Sequence, residues 1–312
     1  MIYTLTTISS FIIFVLIIPL MFYFYLIRIK YKSIIHFLLA IISFAVYSYL
    51  LYSSFPWGLF LLYLKYIYTT IFFIITIFAL WKLKGLLFNL PLYKYSNLSH
   101  LIFLSILNIA IFALLIDYIN IRYYKGNCIN LSFPLHGSNY YIIDGGSSII
   151  ANQHNYLKFQ HYGIDIVKLN KYYSHASGLL GHNNNYSEIF GNTIYSPCNG
   201  IVVDLMNTIP DNIYGIPNKK NPAGNYILIK SDLYYVLLAH FKLNSIIVRK
   251  DQKVFSNEKL GEVGNSGNSI FPHLHIHTVS NINSNLLFSG NSIPILFNNT
   301  FLIRNDIINN FP

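Results

Sequence analysis

Acidic side chains are what this sequence most lacks. It has 11 Asp and Glu among 312 residues, and all charged residues together make up only 10%. A soluble domain carries about 25%, so the composition excludes a wholly soluble protein. The scarcity is uneven. Residues 1–119 hold seven Lys and Arg and a single acid, Asp117, whereas the remainder holds 14 and 10. That shift marks a domain boundary. No Lys or Arg precedes the first apolar run, so the charged n-region of a cleavable signal peptide is missing. There are only two cysteines, Cys128 and Cys198, which allow one disulfide at most. Cys198 also reads as a small packed residue in its Ser-Pro-Cys-Asn-Gly turn. A His-Glu-x-x-His helix is absent too, so no glutamate is placed beside a metal by motif.

Long apolar runs are abundant. Four of them approach the roughly 20 residues that cross a bilayer: Thr4–Ile27, Ile34–Phe55, Gly58–Trp81 and His100–Ile119. The fourth is the shortest. They are apolar all round, as spanning segments are. Arg28, Lys30 and Lys32 fill the first loop and Lys82, Lys84 and Lys94 the third; the second, around Ser53–Pro56, has no charge. The positive-inside rule then puts loops one and three in the cytoplasm. The N-terminus and everything after Asn120 fall on the outer side. Lys65, inside the third run, is close enough to its outer end to snorkel. Polar residues of the kind a transport path needs are mostly absent from the four runs, which argues against a transporter.

The second part reads as β-rich. Tyr140–Asp144, Gly163–Leu169, Gly200–Met206, Asn225–Lys230, Tyr234–His240 and Leu274–Val279 are short β-branched or aromatic runs between Gly, Asn, Pro and Ser clusters. The stretches Lys171–Gly191 and Asn207–Gly224 read as long loops, either rims of a substrate groove or surface insertions. The expected architecture is an α-helical membrane bundle of about four spans over 1–119, a linker over 120–132, and an all-β domain over 133–312.

Three histidine strings stand in that domain: His161-Tyr-Gly-Ile-Asp165, Leu238-Ala-His240 and Pro272-His273-Leu-His275. In His-x-His on a strand both imidazoles project to one face and can reach one ion. A catalytic zinc keeps three protein ligands and leaves a fourth position for water. His161, Asp165 and one histidine of the pair would supply three.

With Tyr195-Ser-Pro-Cys-Asn-Gly-Ile-Val-Val203, Gly224-Asn-Tyr-Ile-Leu-Ile229 and Gly261-Glu-Val-Gly-Asn-Ser-Gly-Asn-Ser269, these strings carry a resemblance. The segment from about Phe133 to Phe297 resembles the M23 (lysostaphin/LytM-type) zinc metallopeptidases. The resemblance implies an M23-like all-β peptidase domain with one Zn2+ held by His161, Asp165 and His275. His240 and His273 then match the two histidines that act on the water and the scissile carbonyl. Asn257, where a turn glycine is usual, and Lys250-Asp251, in place of Gly-Asp, depart from the pattern away from the metal positions. Asn152-Gln-His154 resembles an upstream string that bears the ligand in some relatives. His154 therefore competes with His161 for one role, and His161 is placed first.

The resemblance implies a membrane-anchored zinc metalloendopeptidase cutting peptide cross-links in peptidoglycan. The alternative is a non-enzymatic M23-like domain that binds wall components or activates another hydrolase. Expected partners are a peptidoglycan peptide, the lipid bilayer and a regulatory membrane or envelope protein, with no nucleic acid. Histidine can move the proton, since its ordinary pKa lies near 6.5. The remaining histidines have plainer readings: His36 and His100 at membrane ends, His136 in a turn, His175 and His182 solvated in a loop. His277, next in the row after His275, reads as a surface strand position rather than a hydrogen-bond partner of a ligand.

Overall fold

A computed structural model describes residues 9–28, 31–87, 90–94, 98–121, 127–177, 183–280, 287 and 289–309. Lys30, His182, the start of the first apolar run and linker residues 122–126 lie outside them. The chain divides into two compact units.

The helical unit contains α1 (Ile18–Arg28), α2 (Ile34–Ser54), α3 (Tyr63–Leu87) and α4 (Leu98–Ile121). Over Ser9–Arg28, Ile34–Ser54, Tyr63–Trp81 and Leu98–Ile121 the helices are long and apolar enough to cross a membrane. A π-helical turn, Ile12–Ile17, leads into α1 just before Pro19. Pro19 lacks an N–H for the Val15 carbonyl and its ring crowds that carbonyl, so a widened turn relieves the clash. Ser33 caps α2, its Oγ accepting from the His36 N–H at 3.3 Å. Two sequence expectations change here. The third helix starts at Tyr63 rather than Gly58, because Trp57–Leu59 forms a 3-10 turn. The fourth, at 24 residues, is not the shortest. Lys65 Nζ lies 4.0 Å from the Tyr52 ring centroid, so its charge is used in a cation–π contact.

The β unit takes in Pro56–Leu62 together with the chain from Asn120 onward. Its main sheet has nine strands among the described residues: β1 (Tyr140–Asp144), β2 (Ile164–Lys168), β3 (Gly200–Met206), β4 (Asn225–Lys230), β5 (Tyr235–Phe241), β6 (Lys253–Val254), β7 (Leu274–Ser280), β8 (Asn291–Ile293) and β9 (Ile307–Ile308). The order is β9-β1-β2-β7-β5-β4-β3-β6, with β8 also paired to β7. The six longer strands lie within a residue of the expected runs.

Alternation divides the sheet. Ile142, Ile164, Ile166, Ile227, Ile229, Val236, Leu238, Leu274 and Ile276 fill one core. The residues between them face the other way, so Asp165, His275 and His277 share a face with Leu237 and Ala239. The functional side chains therefore stand on the side of the sheet opposite its main core. Cys128 and Cys198 are free thiols, and Cys198 packs into that core.

Candidate metal centre and its cleft

Strand register brings the first two groups together. His275 pairs directly with Asp165 across β7 and β2, and its Nδ1 donates to Asp165 Oδ1 at 2.7 Å. The third group is His154. Its Nε2 lies 2.9 Å from Asp165 Oδ2, and one ligand atom from each of His154, Asp165 and His275 falls within 4.8 Å of the others. The histidine is held there by Asn152, which is fully buried and caps the 3-10 turn Gln153–Tyr156. Asn152 Oδ1 accepts from the His154 N–H at 3.0 Å, and its Nδ2 donates to the Gly146 and Gly163 carbonyls, each at 2.9 Å. Gly163 lets the rings approach: a Cβ there would lie 3.0 Å from His275 Cε1 and 3.2 Å from His154 Cδ2.

His161, expected as the first ligand, is not in this group. Its Nδ1 donates to the Asn155 carbonyl at 2.9 Å, and its Nε2 lies 3.0 Å from Asn155 Nδ2, which donates to it. Both nitrogens are spent on Asn155. The Asn-x-His string was the signal that pointed to His154.

The two remaining histidines flank the cluster. β5 should turn the His240 side chain toward the core, since Leu238 already lies there. A β-bulge at Asn225/Tyr226 intervenes, and His240 has φ +69°. The left-handed residue swings its ring to the Asp165 side while Phe241 returns to the core. His240 Nδ1 lies 2.8 Å from the Ser266 carbonyl, and His273 Nδ1 lies 2.9 Å from the Phe271 carbonyl. A carbonyl only accepts, so in both rings Nδ1 carries the proton and Nε2 is the acceptor nitrogen. The two rings are 4.8 Å apart, and His273 Nε2 is 3.7 Å from Asp165 Oδ2.

His277 is only 2% exposed and is no surface residue. Its Nδ1 lies 2.8 Å from His275 Nε2. Since the carboxylate takes the His275 Nδ1 proton, His277 donates to Nε2 in this arrangement.

Charge in the site is set by burial against Asp165. Burial alone would raise the Asp165 pKa, but the charges of His154 and His273 beside it and the hydrogen bond from His275 hold it well below the usual carboxylate range. Burial pushes His154 down, yet the Asp165 carboxylate outweighs this and holds it above its ordinary value. His240 is held well below the ordinary histidine value, by burial first and by His273 and His275 next. An ionised carboxylate in a buried nest of imidazoles attracts a cation.

The fit to a metal has an independent sign. His154 Nε2 is buried and makes no hydrogen bond, although Asp165 is close. Buried polar nitrogens are normally satisfied, and two His nitrogens with one carboxylate oxygen is a donor set that suits zinc.

The cluster opens into a cleft of about 380 Å³ whose lining includes His154, Asp165, His240 and His273, the apolar Ile143, Ile270 and Phe271, and the charged Asp144 and Arg304. Neither long loop supplies a lining residue among those described; they buttress instead. Asn212 Nδ2 donates to the Gly267 and Ser269 carbonyls, each at 2.7 Å. His175, expected in solvent, is 5% exposed, its ring 5.0 Å from that of Phe271 and its Nε2 2.9 Å from Tyr214 Oη.

Residues 185–285 match the family model described as Peptidase family M23, so this stretch of the β unit is M23-like. Among solved structures, a zinc-containing peptidase from Vibrio cholerae is similar at 20% identity, over 49% of this chain and 37% of that one, with a TM-score of 0.29. The catalytic domain of lysostaphin from Staphylococcus simulans is similar at 20% identity, over 43% and 80%, with a TM-score of 0.26. LytU is similar at 19% identity, over 50% and 83%, with a TM-score of 0.30. The chain thus spans well under half the length of the Vibrio cholerae peptidase. No curated protein matches the chain.

Proposed function

We propose that this chain is a membrane-anchored zinc metalloendopeptidase that hydrolyses peptide bonds in peptidoglycan cross-links. One observation carries the reading: five groups from four stretches of chain, His154, Asp165, His240, His273 and His275, gather in one cluster, and all but His275 line the cleft. His154, Asp165 and His275 would hold the metal. Bound there, zinc would supply a water of lowered pKa and polarise the carbonyl.

The chain's own groups do the proton work. His240, kept neutral by burial and fixed by its Nδ1–H to the Ser266 carbonyl, takes the proton of the attacking water at Nε2 and returns it to the leaving amine as the C–N bond breaks. His273, held the same way on Phe271, presents Nε2 beside Asp165, and as the imidazolium, with a proton on Nε2 as well, it would donate to the oxygen of the scissile carbonyl. His277 fixes the ring of His275 through its second nitrogen.

The outer face of the cytoplasmic membrane is the proposed location. Loop charge supports it. A second support is independent: Pro56–Leu62, from the uncharged second loop, is part of the β unit, so that loop and the domain share one side of the membrane. An even number of spans between loop two and residue 120 requires the same. The experiment is digestion of purified peptidoglycan by the full chain in detergent, with mass spectrometry of the products. New amino and carboxyl termini should appear with the wild type and be absent with Asp165→Ala. Unchanged wall material under both would refute the activity.

A further inference from the structure

The segment Pro56–Leu62 links α2 to α3, yet it is built into the β unit. Trp57, Phe60 and Leu62 are buried at 0%, 8% and 6% exposure. The Gly58 N–H donates to Tyr141 Oη at 3.1 Å, and its carbonyl accepts from the His175 N–H at 3.0 Å. The Leu62 N–H donates to the Tyr173 carbonyl at 3.0 Å. Tyr141 is itself fully buried and donates to Asn305 Oδ1. A Cβ on Gly58 would fall 2.7 Å from Tyr141 Cε1, so glycine is what permits this approach.

This anchoring leaves Pro56, Leu59 and Leu61 half-buried, and Pro56 and Leu59 line the cleft that His154, Asp165, His240 and His273 line. With Ile143, Ile270 and Phe271 they are the apolar part of a lining that also includes Asp144, Gln153, Gln160, Asn268 and Arg304. Apolar pockets set specificity by matching a side chain in contact with them.

We propose, resting on the peptidase reading, that Pro56 and Leu59 form the subsite for the substrate side chain flanking the scissile bond, and that this subsite selects an aliphatic residue. The specificity wall of the cleft then comes from between two apolar helices, far upstream in sequence of His154, Asp165 and His275. A tie that only holds the fold together would leave substrate choice unchanged when Leu59 is altered.

The test uses the full chain in detergent and two readouts. In the first, kcat/KM is compared for peptides bearing leucine, alanine or aspartate beside the cleaved bond, for the wild type, Leu59→Ala and Leu59→Asp. Zinc content serves as the check on the fold. The wild-type preference for the aliphatic residue should fall about 10-fold or more in both variants, and toward neutrality in Leu59→Asp. The second needs no turnover: short peptides carrying a diazirine leucine at each position in turn are photo-cross-linked and the adducts mapped. Adducts on Pro56–Leu59 are expected. Cleavage with an unchanged preference and no adduct on this segment would overturn the subsite and leave the peptidase reading standing. Adducts on the segment without cleavage of any peptide would overturn the peptidase reading while keeping a peptide-binding wall.

Discussion

His277 Nδ1 sits 2.8 Å from His275 Nε2, two residues apart on β7 and both on the Asp165 face. A metal-binding imidazole needs its second nitrogen held, and loss of such a partner typically costs 10–100-fold in metal affinity. His277→Ala should therefore weaken zinc binding by about that factor while His275 stays in place. Competition with a calibrated chelator measures it; an unchanged affinity would reduce His277 to packing.

His240 and His273 reach the cleft by different routes, one through a left-handed bulge and one through a carbonyl tether, and neither belongs to the proposed ligand set. His240→Ala and His273→Ala should keep zinc and lose roughly 10²–10⁴-fold in turnover. Elemental analysis beside peptide cleavage separates the two effects. Metal loss in His273→Ala would move it from the chemistry to the ligand set.

Burial pulls the His175 pKa down to about 4, with the Gly58 and Leu59 backbone partly offsetting the effect. Its unfolded value is near 6.5, so between those limits the unfolded chain takes up the proton and the folded one refuses it. Stability is then fully present above pH 6.5 and lost as pH falls toward 4, by roughly 3 kcal/mol in all. Denaturant unfolding of the wild type and His175→Asn across pH 7 to 4 should show the flatter profile in the variant. Parallel profiles would contradict the assignment.

Loop charge predicts sidedness. A reporter active only outside the cytoplasm should be active when fused after Ile150 and silent after Lys84. A cytoplasmic Ile150 fusion would put the cleft away from any wall, and a cytosolic peptide would then be the better substrate.

Much of the fold was legible because alternation and β-branching mark strands such as Asn225–Lys230 and Leu274–Ser280 directly. Composition could not separate Gly58–Leu62 from a helix, since a buried turn is as apolar as a membrane span. What decides it is a tertiary bond from Gly58 to Tyr141. The bulge that re-aims His240 depends equally on a cross-strand register shift. The choice between His154 and His161 has the same origin: a local motif favours His161, and Asn155 takes up both its nitrogens.

The proposed metal centre depends on His154. Zinc per chain should be measured by mass spectrometry on the full-length protein, for the wild type, His154→Ala and His161→Ala purified alike. We predict about one zinc for the wild type and for His161→Ala, and loss of the metal in His154→Ala. Retention in His154→Ala with loss in His161→Ala would contradict the metal centre described above.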